Sequence, residues 1–286
     1  MDLGNFGVII LLKKLWRLEY MKLFEFIPEG AKDCKVSAWL HINNEVEELT
    51  SFLNPAIIIC PGGGYGMVSD REAEPVAAPY YAAGYNVFIL RYSVGEEAKD
   101  FKPLCQLAAT MAHVRNHADE WYIDKEKIAV CGFSAGGHLA CSLGTLYNED
   151  KFIQAFGREE DIRPNAMVLI YPVITADEYA HQGSIQNVSG SNVGTEAYKW
   201  FGLDTHVDAT TPPTFLYHTA EDACVPVENT LKMGLALSNA KVPFETHIVP
   251  KGWHGMATCT KEVGVVDAYN GRWMEWSIKW LDTLFQ

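Results

Sequence analysis

One serine of the chain stands between two glycines, in the pentapeptide Gly-Phe-Ser-Ala-Gly at residues 132–136. The apolar run 127–131 before it is typical of a buried strand, and the pattern from Ala135 to Tyr147 predicts a helix. A serine on a tight turn between a strand and a helix is presented as a nucleophile, and the flanking glycines avoid a steric collision. Such pentapeptides also occur as ordinary glycine-rich turns. The strand-turn-helix context nevertheless makes Ser134 the candidate nucleophile.

A serine hydroxyl needs a general base, and histidine is the side chain best suited to that role near neutral pH. Among nine histidines, His254 lies in the loop Lys-Gly-Trp-His-Gly-Met, between the last predicted strand and the C-terminal helical pattern. Loops at this carboxyl edge of a doubly wound sheet carry functional residues. By contrast, His113, His117 and His138 fall on helical patterns and are predicted to be structural. His218 ends a predicted strand and is expected to contact a catalytic side chain but not the substrate.

The base in turn needs an acid that holds its imidazole in the correct tautomer. Asp222 lies in the loop Ala-Glu-Asp-Ala-Cys-Val-Pro, after the predicted strand 214–218. It is the candidate acid, and Glu221 beside it is the alternative. The remaining interpretation is that neither carboxylate is catalytic and that both only solvate an exposed loop.

Three glycines follow the apolar run 56–60, in Cys-Pro-Gly-Gly-Gly-Tyr at 60–65. Glycines there leave backbone N–H groups free to approach a substrate oxygen. The predicted oxyanion hole combines the N–H of Gly63 or Gly64 with that of Ala135. A phosphate cradle is the alternative, but no Lys-Ser or Lys-Thr follows at P-loop spacing. This chemistry requires no metal and no cofactor.

The elements that position these residues follow an alternating pattern, in which short apolar runs are separated by helical segments. This pattern predicts parallel strands joined by crossover helices. The predicted strands are 56–60, 86–91, 127–131, 166–171, 214–218 and 244–249, with 36–42 as an antiparallel edge strand. Helical faces are predicted from apolar spacing within 101–112 and from Tyr269 through Trp273, Trp276 and Trp280 to Leu284.

One domain is expected over residues 21–286, because α/β folds of this length are common as single units. The apolar run 7–12 is followed by basic residues and not preceded by them, the opposite of a secretory signal. Residues 1–20 are therefore predicted to be a peripheral extension, with Met21 as a candidate natural start. Residues 174–213, rich in Ser, Gly, Asn and Thr, predict a small insertion over the site.

The chain carries 36 acidic and 23 basic residues, a formal net charge of -13. An acidic surface repels nucleic acid and anionic membranes, so neither is an expected partner. Of the seven cysteines, Cys60 and Cys131 lie inside predicted buried strands, and no CxxC pair occurs. This usage predicts reduced thiols and a cytoplasmic protein. The oligomeric state is left open.

Together these stretches resemble the α/β-hydrolase esterases, in particular the acetylxylan-esterase-like and feruloyl or acetyl esterases. The resemblance rests on residues 61–65, 71–77, 132–140 and 222–226 and on His254-Gly255, and it covers most of the chain from about residue 56. The chain order Ser, Asp, His is also that of α/β hydrolases. Hormone-sensitive-lipase relatives begin the oxyanion loop with His-Gly-Gly-Gly. Here Cys60-Pro61 precedes the glycines, which favours the acetyl-esterase branch.

The resemblance implies an α/β-hydrolase fold, a mostly parallel sheet with helices on both faces. It also implies a serine carboxylesterase that removes short acyl groups, such as acetyl groups on sugars or xylo-oligosaccharides. Tyr65 and Trp253 are then expected to contact substrate, Trp253 by stacking on a sugar ring. Peptidase activity, acyl transfer to an acceptor other than water, and a non-catalytic binding protein are the competing hypotheses.

Overall fold

Eight strands form one sheet in the computed structural model, which describes residues 21–42, 52–156 and 162–286. The peripheral segment predicted at 1–20 lies outside the described residues. The strands lie in the order β1-β2-β4-β3-β5-β6-β7-β8. Their bounds are Met21–Phe26 (β1), Lys35–His41 (β2), Asn54–Cys60 (β3), Asn86–Arg91 (β4), Ile123–Phe133 (β5), Ala166–Ile170 (β6), Thr214–Thr219 (β7) and Phe244–Val249 (β8).

The six strands from β3 to β8 pair in parallel, and all six were predicted from their apolar runs. β3, β4, β6 and β7 lack alternation because both of their faces are covered, whereas β8 at the far edge of the sheet is only partly buried. In β3, Ile58 packs into the core on one face, whereas Ile57 and Ile59 pack into the core on the other. The parallel arrangement brings the carboxyl ends of these strands to one edge of the sheet.

The prediction that 36–42 forms an edge strand is wrong, although its antiparallel direction is confirmed. β2 pairs antiparallel with β4 on one side and with β1 on the other, so β1 is the edge. β1 was not predicted, because its apolar residues lie on both faces. Phe24 and Phe26 pack against the core, whereas Leu23 is exposed to solvent.

Eight α-helices connect and flank the strands within the described residues. They are Glu74–Ala82 (α1), Lys102–Asn116 (α2), Ala135–Leu146 (α3), Asp150–Phe156 (α4), Gln182–Ser189 (α5), Glu196–Lys199 (α6), Glu228–Ala240 (α7) and Trp273–Leu284 (α8). Buried residues of α1 and α8 belong to the core on one face of the sheet, and those of α2, α3 and α7 belong to the core on the other. Helices therefore cover both faces, as expected.

The C-terminal helix begins later than its apolar spacing predicts. Tyr269 is 56% exposed and is followed by a 3₁₀ turn, Asn270–Arg272, before α8 begins at Trp273. The hydroxyl of Tyr217 donates to the Asn270 side chain at 2.8 Å, and two hydrogen bonds from Asn270 to the Asp267 carboxylate hold this turn. A tertiary contact of this kind leaves no trace in helical periodicity.

The stretch predicted as an insertion, 174–213, lies between β6 and β7 and contains α5, α6 and the 3₁₀ turn Leu203–Thr205. Ile185 and Val188 of α5 join the main core, so the segment is packed against the domain. Across residues 21–42, 52–156 and 162–286, no helix is both long enough and apolar enough to cross a membrane.

Candidate active site

Ser134 stands at the junction between β5 and α3, on a backbone that few side chains adopt. Its φ of 53° and ψ of -119° lie outside the common regions and are strained for a serine. A Cβ atom at Gly132 would collide with the carbonyl oxygen of Gly136, and one at Gly136 would collide with that of Cys60. Both glycines are therefore required sterically. The tight turn predicted from the pentapeptide is present.

Two hydrogen bonds connect the three residues predicted as nucleophile, base and acid. The Oγ of Ser134 lies 2.8 Å from the Nε2 of His254. The Nδ1 of His254 lies 2.6 Å from the Oδ2 of Asp222. A carboxylate must accept from Nδ1–H, so Nε2 is left to accept the serine proton. The structure thus brings together side chains that are 120 and 32 residues apart.

Asp222 is held as a buried carboxylate. Its Oδ1 accepts hydrogen bonds from the backbone N–H groups of Cys224 and Val225, each at 2.9 Å. Burial alone would raise the pKa of Asp222, but hydrogen bonds from His218 and His254 outweigh it and hold the pKa below its ordinary value. Asp222 is therefore held in its ionised form. Its neighbour Glu221 is exposed to solvent.

The backbone N–H groups predicted as the oxyanion hole are free to bind a substrate oxygen. In the part of the chain that the structure describes, those of Gly63, Gly64 and Ala135 donate to no protein acceptor. Ala135 opens α3, whose N-terminal dipole favours negative charge beside Ser134. The N–H of Gly62, one residue earlier, is occupied, since it donates to the Glu72 carboxylate at 2.8 Å.

The expectation that the Tyr65 side chain contacts substrate is wrong. Tyr65 is completely buried, and its hydroxyl lies 2.9 Å from the Nδ1 of His138. His138 donates through Nε2 to the carbonyl oxygen of Phe201, so Nδ1 accepts from the tyrosine. Burial lowers the pKa of His138 to about 4. This neutral pair fixes the oxyanion loop onto α3, which is the structural role predicted for His138.

Helix α5 packs against the predicted oxyanion loop, and no sequence motif indicated this contact. The side-chain amide of Asn187 donates to the carbonyl oxygen of Gly64 at 2.8 Å. His181, at the start of α5, accepts a hydrogen bond at Nδ1 from the backbone N–H of Ser184, so its proton resides on Nε2. Burial lowers the pKa of His181, with His254 contributing as a nearby charge. A neutral donor therefore lies near the base.

Trp253, predicted to contact substrate, precedes the base and is 61% exposed. Its indole is accessible to a ligand, and the sugar contact stays a prediction.

The architecture defines a class of protein. A mostly parallel eight-stranded sheet, a serine on a strand-helix turn and the chain order Ser, Asp, His are the features of α/β hydrolases. Solved structures share this fold. An acetyl ester-xyloside bifunctional hydrolase from Caldicellulosiruptor lactoaceticus superposes with a TM-score of 0.76 at 33% identity, covering 88% of each chain. The carboxylesterase Cest-2923 from Lactobacillus plantarum WCFS1 gives 0.81 at 25% identity, covering 92% of this chain and 98% of that one.

The chain belongs to the BD-FAE family, whose model matches residues 45–237. It is 32% identical to endo-1,4-beta-xylanase B of Butyrivibrio fibrisolvens over 246 residues, which is 85% of this chain and 37% of the relative. It is 30% identical to the acetylxylan esterase of Xylanibacter ruminicola over 207 residues, 70% of this chain and 40% of the relative. The resemblance to acetylxylan-esterase-like α/β hydrolases is confirmed. The chain spans about two fifths of these two relatives.

Proposed function

We propose that the chain is a serine carboxylesterase that hydrolyses short acyl esters, with acetyl groups on sugars or xylo-oligosaccharides in the cytoplasm as the substrate class. The single observation that carries this proposal is the unbroken hydrogen-bonded chain from Ser134 Oγ through His254 to the buried Asp222. The names of the relatives, acetylxylan esterase and acetyl ester-xyloside hydrolase among them, support the choice of substrate.

The proposed reaction begins when His254 Nε2 takes the hydroxyl proton of Ser134 and Oγ attacks the ester carbonyl carbon. The carbonyl oxygen becomes an oxyanion, which the free N–H groups of Gly63 or Gly64 and of Ala135 stabilise. Protonated His254 then gives the proton to the departing alcohol, and the acyl group stays on Ser134. Water, deprotonated by His254, attacks this acyl-enzyme and releases the carboxylic acid.

Hydrolysis of p-nitrophenyl acetate and of acetylated xylo-oligosaccharides by the purified protein tests the proposal, with aminoacyl amides assayed beside them. Turnover of the esters with little amide cleavage is the expected result. Faster cleavage of the amides would make the chain a peptidase. If the purified protein hydrolyses none of the esters, the result would favour a non-catalytic binding protein.

The wall that α5 forms beside the oxyanion loop is polar, with His181, Ser184 and Asn187 around Gly64. A polar wall solvates a small acyl ester well and offers little apolar surface to a long chain. We therefore expect kcat/KM to be highest for p-nitrophenyl acetate and to fall through butyrate to octanoate. Steady-state kinetics on the three esters measure this order, and a higher kcat/KM on octanoate would contradict it.

Trp253 gives a separate prediction about the alcohol side of the ester. If its exposed indole stacks on a sugar ring, Trp253→Ala raises KM for acetylated xylo-oligosaccharides by a factor of about 5 to 10, since such contacts contribute about 1 kcal/mol. KM for p-nitrophenyl acetate, which has no sugar, changes less than about twofold. Equal effects on both substrates would show that Trp253 acts on the base loop and not on the sugar.

A further inference from the structure

A buried carboxylate lies directly behind the proposed oxyanion loop, and the proposed mechanism does not use it. Glu72 is 4% exposed. Its Oε2 accepts the N–H of Gly62 at 2.8 Å, and its Oε1 accepts the hydroxyl of Tyr171, also at 2.8 Å. A Cβ atom at Gly62 would lie 2.8 Å from Oε2 and 3.0 Å from the Cβ of Ser134. Glu72 therefore holds Gly62 in place, and Gly62 lies between Glu72 and Ser134.

Tyr171 carries this connection to the loop that bears the base. Its hydroxyl donates to Glu72 and accepts the backbone N–H of Ala257 at 3.0 Å. Its ring contacts the imidazole of His254 edge-on, with 5.0 Å between the centroids. One buried tyrosine thus contacts the carboxylate and the backbone three residues beyond the base through its hydroxyl, and the base through its ring.

The backbone at Ala257 is strained, and its hydrogen bond to Tyr171 stabilises this strained conformation. Ala257 has a φ of 49°, in the left-handed region that costs a side-chain-bearing residue about 1 kcal/mol or more. Its N–H donates to Tyr171, and its carbonyl oxygen accepts the indole N–H of Trp273 at 2.8 Å. Both polar groups of the strained peptide are anchored. Without Tyr171, one anchor is lost.

Burial raises the pKa of Glu72, whereas the hydrogen bonds from Tyr171 and Gly62 act in the opposite direction. Both carboxylate oxygens act as acceptors, and each donor reaches a different oxygen. An amide at position 72 has one acceptor oxygen and cannot satisfy both donors.

We propose that Glu72 and Tyr171 are positioning residues that hold the oxyanion loop at Gly62 and the base loop at Ala257 in one fixed arrangement around Ser134. The proposal rests on the proposed function, because it assigns the network to the same ester hydrolysis. Neither side chain touches the reacting atoms in this account. Their contribution is the placement of the oxyanion donors relative to the base.

The test compares wild type with Glu72→Gln, Tyr171→Phe and the double variant on p-nitrophenyl acetate, with active sites counted by fluorophosphonate labelling. We expect kcat per labelled site to fall about 10- to 100-fold in each single variant, because misplacement by about 1 Å costs that much. KM should change less than about threefold. Affinity for a trifluoromethyl ketone, which forms an oxyanion on serine, should fall in parallel with kcat/KM.

Coupling within the network gives the sharpest readout. If the two residues act as one unit, kcat per labelled site in the double variant is no lower than in the less active single variant, within a factor of about three. Tyr80→Phe is the matched control, because Tyr80 is equally buried and its hydroxyl contacts Ser277 at 2.8 Å. Its kcat per labelled site should stay within about twofold of wild type.

The proposal is overturned if both single variants keep wild-type kcat per labelled site, even where fewer sites label because folding is impaired. Losses that multiply in the double variant would also overturn it, since the residues would then act independently. A wild-type protein that labels but hydrolyses no ester would instead refute the proposed function. Fluorophosphonate labelling and ester turnover of wild type therefore separate the two failures.

Discussion

Replacing Ser134 by alanine is expected to lower kcat/KM for p-nitrophenyl acetate by a factor of about 10⁴ to 10⁶. The Oγ atom that this change removes lies 2.8 Å from the proposed base. The fold should persist, because the backbone of Ser134 makes the other contacts. Its N–H donates to the carbonyl oxygen of Ile170, and its carbonyl oxygen accepts from His138 and Val173. Initial rates and circular dichroism on the purified variant measure both expectations.

Ser142→Ala is the matched control for this prediction. Ser142 is another buried serine of α3, and its Oγ donates to the carbonyl oxygen of its own helix at His138, at 2.8 Å. Its loss should change kcat/KM by less than about threefold. A folded Ser134→Ala protein that keeps half of the wild-type rate would show that another group is the nucleophile.

Asp222→Asn is expected to lower turnover by a factor of about 10³ to 10⁴, with the fold unchanged. The asparagine oxygen can still accept the two backbone N–H groups that hold the loop. Its amide nitrogen, however, is a donor and faces the Nδ1 of His254 at the place of a carboxylate oxygen. His254 is then driven to the tautomer whose Nε2 carries a proton and cannot accept one from Ser134.

Glu221→Gln provides the comparison within the same loop. Glu221 is exposed to solvent, so its neutralisation should change kcat by less than about twofold. Kinetics of the two purified variants on one ester decide between the neighbouring carboxylates. A larger loss from Glu221→Gln than from Asp222→Asn would reverse the assignment.

The residues of the proposed triad were identifiable because each follows a predicted parallel strand in a short, unusual motif. The carboxyl ends of parallel strands meet at one edge, so motifs distant in sequence become neighbours. No motif indicated the contact between Glu72 and Tyr171, because it joins positions 99 residues apart through side chains that any core can bury. Tyr65 was misassigned for the same reason. Its place in the glycine loop was visible, whereas its burial against His138 depends on packing.

Some elements of the fold could likewise be predicted from the sequence, and others could not. Continuous apolar runs identified the inner parallel strands, because burial on both faces removes polar residues from them. The edge of the sheet was misplaced, because β1 exposes Leu23 on one face while Phe24 packs on the other. Alternation is the signal that such a strand lacks. The start of α8 depended on the side-chain contact between Tyr217 and Asn270, which apolar spacing does not encode.

The proposed reaction requires that an ester transfers its acyl group to Ser134, and this acyl-enzyme can be trapped. Wild-type protein is mixed with p-nitrophenyl acetate, quenched in acid within the first turnovers, digested and mapped by mass spectrometry. We expect an acetyl group on the peptide that contains Ser134, formed in step with the burst of p-nitrophenol and absent from Ser134→Ala. Steady turnover with acetyl found elsewhere, for instance on the exposed thiol of Cys224, and none on Ser134 would contradict it.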